Sequence, residues 1–414
     1  MRSPILVPMS QRVIVIGAGL SGLRAASLIE GSGREVIVLE ASDGPGGRVR
    51  TDIVDGFQLD RGFQVLLTEY PEVKAALDLK ALDLKPFAPG AMIFRNGAFT
   101  ALCDPLRWPL EGALGLFGPP GRISDRLRLA TFRARLSLAS ESQLARAVGT
   151  PFIDVLRRHG FSADFIDAFF RPWFGGITLD RSLSADAAFC EFVFRCMAKG
   201  QAAIPALGMG AVAHQLANRL RQGTLRLGSR VASIEGSRVR LGSGEVFEGD
   251  TIVVATEGPE AGKLLRMADT GSRSVTCVWF AAAVAPFSGP WLALNGESEG
   301  LVNNLAVMTN LAPTYSSDSR ALIAATILGP IAPPDDPALQ RSVLAQLREW
   351  FGVAVDEWTL IRVDRIRHAQ PLATKAKGFL RPGLYLAGDH TQQPSAHGAL
   401  RSGRLAAEAV LAAG

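Results

Sequence analysis

The chain has 414 residues, 48% of them hydrophobic and 20% charged, enough for two ordinary domains with a substantial core in each. No repeat period or low-complexity tract runs through it, which excludes a solenoid or a linker array. The 44 Lys and Arg against 39 Asp and Glu leave a net charge of +5, too diffuse and too free of basic runs interleaved with aromatics for a nucleic-acid partner.

The chain opens MRSPILVPMSQRVIVIGAG, with one early Arg and an apolar stretch broken by two prolines, unlike a signal peptide. No window reaches about 18 uninterrupted apolar residues, so no spanning helix is expected. Val13 to Ile16 is a β-branched apolar run, the pattern of a strand buried on both faces of a parallel sheet. It feeds Gly17, Ala18, Gly19, Leu20, Ser21 and Gly22; an Ala-rich helix is predicted over 23–29, and a second strand from Glu35 to Leu39 finishes on Glu40. Gly17 permits the turn out of the strand, Gly19 lets backbone approach a pyrophosphate, and Gly22 lets the helix pack on the sheet. The helix N-terminus faces the phosphates, and Glu40 sits where a carboxylate accepts from ribose hydroxyls.

Directly after Glu40 the chain reads Ala41, Ser42, Asp43, Gly44, Pro45, Gly46, Gly47, Arg48, Val49, Arg50, Thr51. This resembles the extended signature of the flavin-containing amine oxidase and phytoene desaturase superfamily, which also includes protoporphyrinogen oxidases. The resemblance implies FAD as cofactor, with the Gly46-Gly47-Arg48 turn around its pyrophosphate and Arg48 offering charge-assisted hydrogen bonds. It also implies that Gly62, Phe63 and Gln64 pass near the flavin ring.

Residues 104–136 combine Trp108, Leu110, Leu114, Leu116 and Phe117 with Arg122, Arg126, Arg128, Arg133 and Arg135, a composition suited to peripheral membrane contact. The run Phe169 to Ile177, followed by Leu183-Ser184, is similar to desaturases and protoporphyrinogen oxidases. Ile204 to Gly210 opens a helix to about Leu220, with strands at 224–227, 231–235, 238–241 and 251–255. This resembles the superfamily's middle return to the FAD domain, which puts Val231 against the adenine. Near the C-terminus Gly383 to Asp389 is a short apolar strand ending in Gly-Asp, followed by residues 393–400 and a helix over 401–411. The resemblance places Gly388 and Asp389 on the ribityl chain and Gly398 and Ala399 at the pyrimidine side, where a helix N-terminus stabilises anionic reduced flavin.

The expected fold is α/β: a Rossmann-like FAD-binding domain from residues 1–80, 202–265 and 366–414, and a discontinuous α+β substrate domain from 81–201 and 266–365. The four cysteines, Cys103, Cys190, Cys196 and Cys277, form no CxxC pair and lack histidines at zinc spacing, so free thiols in a reducing cytoplasm and no metal are expected. No cysteine lies in the C-terminal segment, so FAD is expected to be noncovalent. His368, His390, His397 and Arg171 are the candidates for acid–base, orienting or carboxylate-binding roles, each weighed against an ordinary structural role. Only three tyrosines are present, and Ser395 stands where amine oxidases of the superfamily carry a cage tyrosine. The resemblance therefore implies dehydrogenation of a large apolar substrate, such as an isoprenoid or tetrapyrrole, by hydride transfer to FAD. An amine oxidase releasing hydrogen peroxide, a reduced-flavin isomerase or saturase, and a non-catalytic isoprenoid-binding chaperone remain the alternatives; oligomeric state does not follow from the sequence.

Overall fold

The computed structural model describes residues 12–114, 118–268, 271–329, 335–372 and 376–413. The chain's opening stretch, Leu116 and Phe117 lie outside these residues, as does the side chain of Leu114.

The apolar runs at 13–16 and 36–39 have no polar side to present to water, and both become inner strands of a six-stranded sheet. Its order is Leu225–Arg226, Glu35–Leu39, Arg12–Ile16, Thr251–Val254, Leu384–Leu386, Phe379–Arg381. Five strands run parallel and the last returns antiparallel. Alternate residues face opposite layers. Val13, Val15 and Val38 pack with Leu23, Ala26, Leu400 and Ala407, while Ile14, Ile16, Ile252 and Val254 pack with Val231 and Val239 of a three-stranded meander, Val231–Glu235, Arg238–Leu241 and Val246–Glu248.

Helices Leu20–Gly31 and Ala396–Ala412 pack on one face of this sheet. They approach at Gly403, where a Cβ would lie 2.2 Å from the Ser21 carbonyl oxygen. The first helix begins at Leu20, three residues before the expected start. The last begins at Ala396 instead of near Arg401, because the Ser395 hydroxyl accepts from the Gly398 amide at 3.0 Å and caps it. The helix expected to reach Leu220 stops at Ala217.

A seven-stranded mixed sheet forms the second layer, in the order Thr359–Pro371, Ser272–Ala282, Ala321–Leu328, Val302–Val307, Leu292–Asn295, Gly90–Arg95, Ala98–Cys103. Helices cover part of it: Ile123–Leu138, Phe152–Arg158, Ala187–Lys199, and the consecutive segments Ala163–Phe165, Ile166–Phe170 and Arg171–Thr178, the middle one a π turn. Their core is aromatic, with Phe132, Phe152, Phe165, Phe170, Phe174 and Phe194 in one cluster. The molecule is thus α/β, with parallel strands ending at a common crevice, the place where open sheets of this kind bind ligands. No helix among the described residues is long and apolar enough to cross a membrane.

Candidate functional site

A continuous cavity of about 1890 Å³ runs from the carboxyl ends of the parallel strands to the aromatic helices. That exceeds the ~1,000 Å³ upper range of pockets for a single drug-sized ligand, so two molecules can share it end to end.

At the parallel-strand end glycine recurs along the wall. The residues singled out from the sequence that line it are Gly17, Gly19, Leu20, Ser21, Glu40, Ala41, Gly46, Gly47, Arg48, Gly62, Phe63, Gln64, Val231, Gly388, Asp389 and Ala399. Ala18, Gly22 and Gly398 stand behind the wall. A Cβ on Gly22 would lie 1.9 Å from the Gly17 carbonyl oxygen, and one on Gly398 would lie 2.0 Å from that of Gln393. A Cβ on Gly19, by contrast, would meet nothing within 4 Å; it would point into space that only a ligand fills.

Ala18 joins the two glycine loops. Its amide donates to Glu40 Oε2 at 2.7 Å, and its carbonyl accepts from the Gly46 amide at 2.8 Å. Glu40 Oε1 also accepts from the Ser42 amide at 2.9 Å and hydroxyl at 2.7 Å. Glu40 therefore organises the loops as well as facing the cavity. Gln64 donates to the Arg48 and Arg61 carbonyls at 2.8 and 2.9 Å and pins the next stretch of wall.

Arg48 departs from the sequence expectation. Its guanidinium donates to Asp389 Oδ1 and to the Ala369 carbonyl, both at 2.7 Å. Arg48 and Asp389, expected on separate parts of the cofactor, here hold each other and clasp the first and last segments of the chain.

The four side chains considered for acid–base or orienting roles do not line the cavity. Arg171 pairs with Asp167 at 2.6 Å and donates to the Arg181 carbonyl, so internal contacts account for its charge. His368 Nδ1 meets Ser272 Oγ at 2.6 Å. His397 Nδ1 accepts from the Glu72 amide at 3.3 Å, with its ring beside Tyr70 and Phe192, and burial pushes its pKa down to about 4. His390 is buried behind Gly388 with neither ring nitrogen hydrogen-bonded, and burial lowers its pKa. All four cysteines are buried, and no group of three potential metal ligands occurs among the described residues.

The other end of the cavity is walled by Trp108, Phe169, Trp173, Phe189, Phe194 and Met197. Its carboxylate, Asp104, is occupied by Arg133 at 2.6 Å and Arg107 at 3.5 Å. Deeper in the wall sit Asn304 and Thr326, residues that sequence reasoning missed. The available signal was local: the Asn303–Asn304 pair and Thr326 are the polar residues of otherwise apolar strands, VNNLAV and ALIAATIL.

The sequence model of the family described as flavin containing amine oxidoreductase matches residues 20–411. A protein named probable zeta-carotene desaturase, from Synechococcus elongatus, is 26% identical over 97% of this chain and 99% of its own length. Protoporphyrinogen oxidase 2 of Arabidopsis thaliana is 29% identical over 40% of this chain, and the match spans 32% of that protein. An L-amino-acid oxidase of Sistrurus catenatus edwardsii is 40% identical over 19% of the chain, a match spanning 15% of the oxidase. Among solved structures, putrescine oxidase bound to putrescine aligns with TM-score 0.70 at 18% identity, covering 98% of this chain and 99% of that one. Reduced UDP-galactopyranose mutase aligns with TM-score 0.68 at 15% identity, covering 98% and 96%. With a family match over nearly the whole sequence and a fold shared from end to end, the chain belongs to the flavin-containing amine oxidoreductases, FAD-dependent enzymes of oxidation and reduction.

Proposed function

We propose that this enzyme dehydrogenates a large apolar substrate, with FAD held noncovalently at the parallel-strand end of the cavity and the substrate in the aromatic arm. The observation that carries this reading is the arm itself: its wall is aromatic and aliphatic, and its acid, Asp104, is already neutralised by two arginines. An ammonium substrate would find no free carboxylate there among the described residues, and burying a charge without a partner is costly.

The residues fit FAD. The open space beside Gly19, the start of helix Leu20–Gly31 and the Gly46-Gly47 loop make a backbone cradle for a pyrophosphate. Glu40 takes the ribose hydroxyls, Val231 the adenine, and Asp389 and Ala399 the flavin half. Bound FAD supplies the hydride acceptor. The protein's own part is to orient the substrate between Phe169, Trp173 and Phe194, to exclude water, and to offer helix Ala396–Ala412 as a positive end toward the ring. We assign residues 1–80, 202–265 and 366–414 to the cofactor domain and 81–201 and 266–365 to the substrate domain.

The test is a visible absorption spectrum of the purified protein, followed by anaerobic reduction and exposure to air. A flavin spectrum with slow reoxidation is expected. Fast reoxidation with hydrogen peroxide release favours the amine-oxidase alternative, and a colourless protein that cannot take up FAD overturns the reading.

Peripheral membrane contact through residues 104–136 is proposed in revised form. Leu106, Leu110, Ile123 and Leu127 are 77%, 71%, 57% and 65% exposed, and Leu106, Ile123 and Leu127 line the cavity, giving an apolar ledge at its mouth. Most of the arginines counted toward this contact have inward partners. Arg126 is buried and donates to the Gly118 carbonyl, Arg133 pairs with Asp104, Arg135 with Glu191, and Arg128 lies 3.8 Å from Asp125. Docking thus rests on apolar insertion more than charge, and cosedimentation with vesicles is expected to persist at high salt. No cosedimentation with anionic vesicles at low salt removes this proposal.

A further inference from the structure

In a cavity arm made of aromatic and aliphatic groups, Asn304 and Thr326 form a polar patch that the proposed dehydrogenation leaves unused. They face each other across paired strands, with Gly176 beside them on the same wall. Asn303 Nδ2 donates to the Pro172 carbonyl and to Asn304 Oδ1, both at 2.9 Å. This fixes the orientation of both amides, because a flipped Asn303 would set an oxygen against the Pro172 carbonyl. Asn304 Nδ2 in turn donates to Thr326 Oγ1 at 3.2 Å.

The direction of this chain decides what it can recognise. Thr326 Oγ1 already accepts, so its own proton is left to donate; Asn304 Nδ2 has used one of its two hydrogens. Both residues are buried, with 2% and 4% exposure for Asn304 and Thr326. A donor held there without an acceptor carries a desolvation cost that a ligand oxygen would remove. The backbone keeps the patch open: a Cβ on Gly176 would lie 3.2 Å from Asn304 Oδ1 and 3.3 Å from Asn303 Nδ2, crowding the amides.

We propose that Thr326 and Asn304 form a donor station that binds a neutral carbonyl oxygen of an otherwise apolar substrate, fixing where along the arm the rest of that molecule lies. A neutral oxygen is favoured over a carboxylate because the arginines of the arm, Arg107 and Arg133, are engaged with Asp104, and Arg48 with Asp389. No cation hydrogen-bonds Asn303, Asn304 or Thr326. A carboxylate here would lose its water without gaining a counter-charge.

The proposal rests on the apolar-substrate reading above, and the experiment separates the two. The holoprotein is titrated with 2-acetylnaphthalene and with 2-isopropenylnaphthalene, which replaces C=O by C=CH₂, following tryptophan fluorescence from the arm that contains Trp108 and Trp173. The isosteric Thr326→Val variant is expected to bind the ketone about tenfold more weakly, the loss of one hydrogen bond, with alkene affinity unchanged; Thr326→Ser restores ketone binding. The infrared carbonyl band of the bound ketone is expected to shift to lower frequency in the unmodified protein and in Thr326→Ser, but not in Thr326→Val. If both probes bind and Thr326→Val leaves the ketone unaffected, or weakens both equally, the station is overturned while the apolar arm stands. If neither probe binds, the apolar reading falls and takes the station with it, and the flavin spectrum still reports the cofactor site independently.

Discussion

The two ends of the cavity are built from different material. At the parallel-strand end the wall is rich in glycine, drawn from short segments such as 19–21, 46–48 and 388–389. At the aromatic end bulky side chains dominate, contributed from positions as far apart as Trp108, Phe194 and Thr326. A surface made of backbone tolerates few residue types at fixed offsets, whereas a surface made of packed side chains accepts many residues of suitable size. Cofactor and substrate recognition therefore respond differently to substitution.

The largest expected effect contrasts two glycines of the same motif. In Gly22→Val the added side chain meets the Gly17 carbonyl, whose oxygen would lie 1.9 Å from Cβ; the protein is expected to be insoluble or strongly destabilised. In Gly19→Val the added Cβ has no atom to meet within 4 Å, so the apoprotein should melt within about 2 °C of the parent, a near-neutral substitution. Its FAD affinity should nevertheless fall at least about 100-fold, because the side chain occupies the phosphate approach. Parallel melting curves and flavin absorbance check this, and a Gly19→Val protein that retains FAD would move the cofactor out of the glycine cradle.

Next in size is the clasp between first and last segments. Arg48→Met leaves the buried Asp389 carboxylate without its partner, an expected loss of about 3 kcal/mol. Adding Asp389→Asn removes the orphaned charge and should recover much of that loss, a coupling measured by urea unfolding of both single variants and the double. Additive losses would mean the 2.7 Å contact does not hold the segments together.

This contrast also explains what the sequence made legible. Val13–Ile16 and Glu35–Leu39 were readable as strands because a β-branched run needs two apolar neighbours, and the glycine spacing pointed to the crevice. The Arg48–Asp389 pair was not readable, since its partners lie 341 residues apart and each had a plausible separate role. His397 stood out because histidine is rare in this chain, and Arg171 because a guanidinium can meet a carboxylate; only packing reveals that Tyr70 and Phe192 enclose one and Asp167 holds the other. Asn304 and Thr326 carried a local signal, but which face of a strand meets a cavity depends on register with its neighbours.

The smallest net effect comes from two buried groups whose titrations oppose each other. Asp60 is held between the two layers by Thr51, the Met209 amide and the Tyr315 hydroxyl, near Arg362, and burial raises its pKa to about 6. Unfolding lets it ionise more readily, so it lowers stability as pH rises from about 4 to about 6. His397, near Glu72, Arg401 and Arg404, has its pKa pushed down to about 4; unfolding lets it protonate more readily, so its stabilising contribution is present above about 6.5 and lost as pH falls toward 4. Each amounts to about 2 kcal/mol across the window, and in the parent they largely cancel. Asp60→Asn should therefore become acid-sensitive, gaining stability from pH 4.5 to 6.5. His397→Phe, whose ring suits the Tyr70 and Phe192 contacts, should show the reverse slope, and the double variant should be nearly flat. Urea midpoints of the four proteins at those two pH values decide it: if all four shift in parallel, neither residue titrates across the window, and the acid response lies in neither the joint between the layers nor the C-terminal helix.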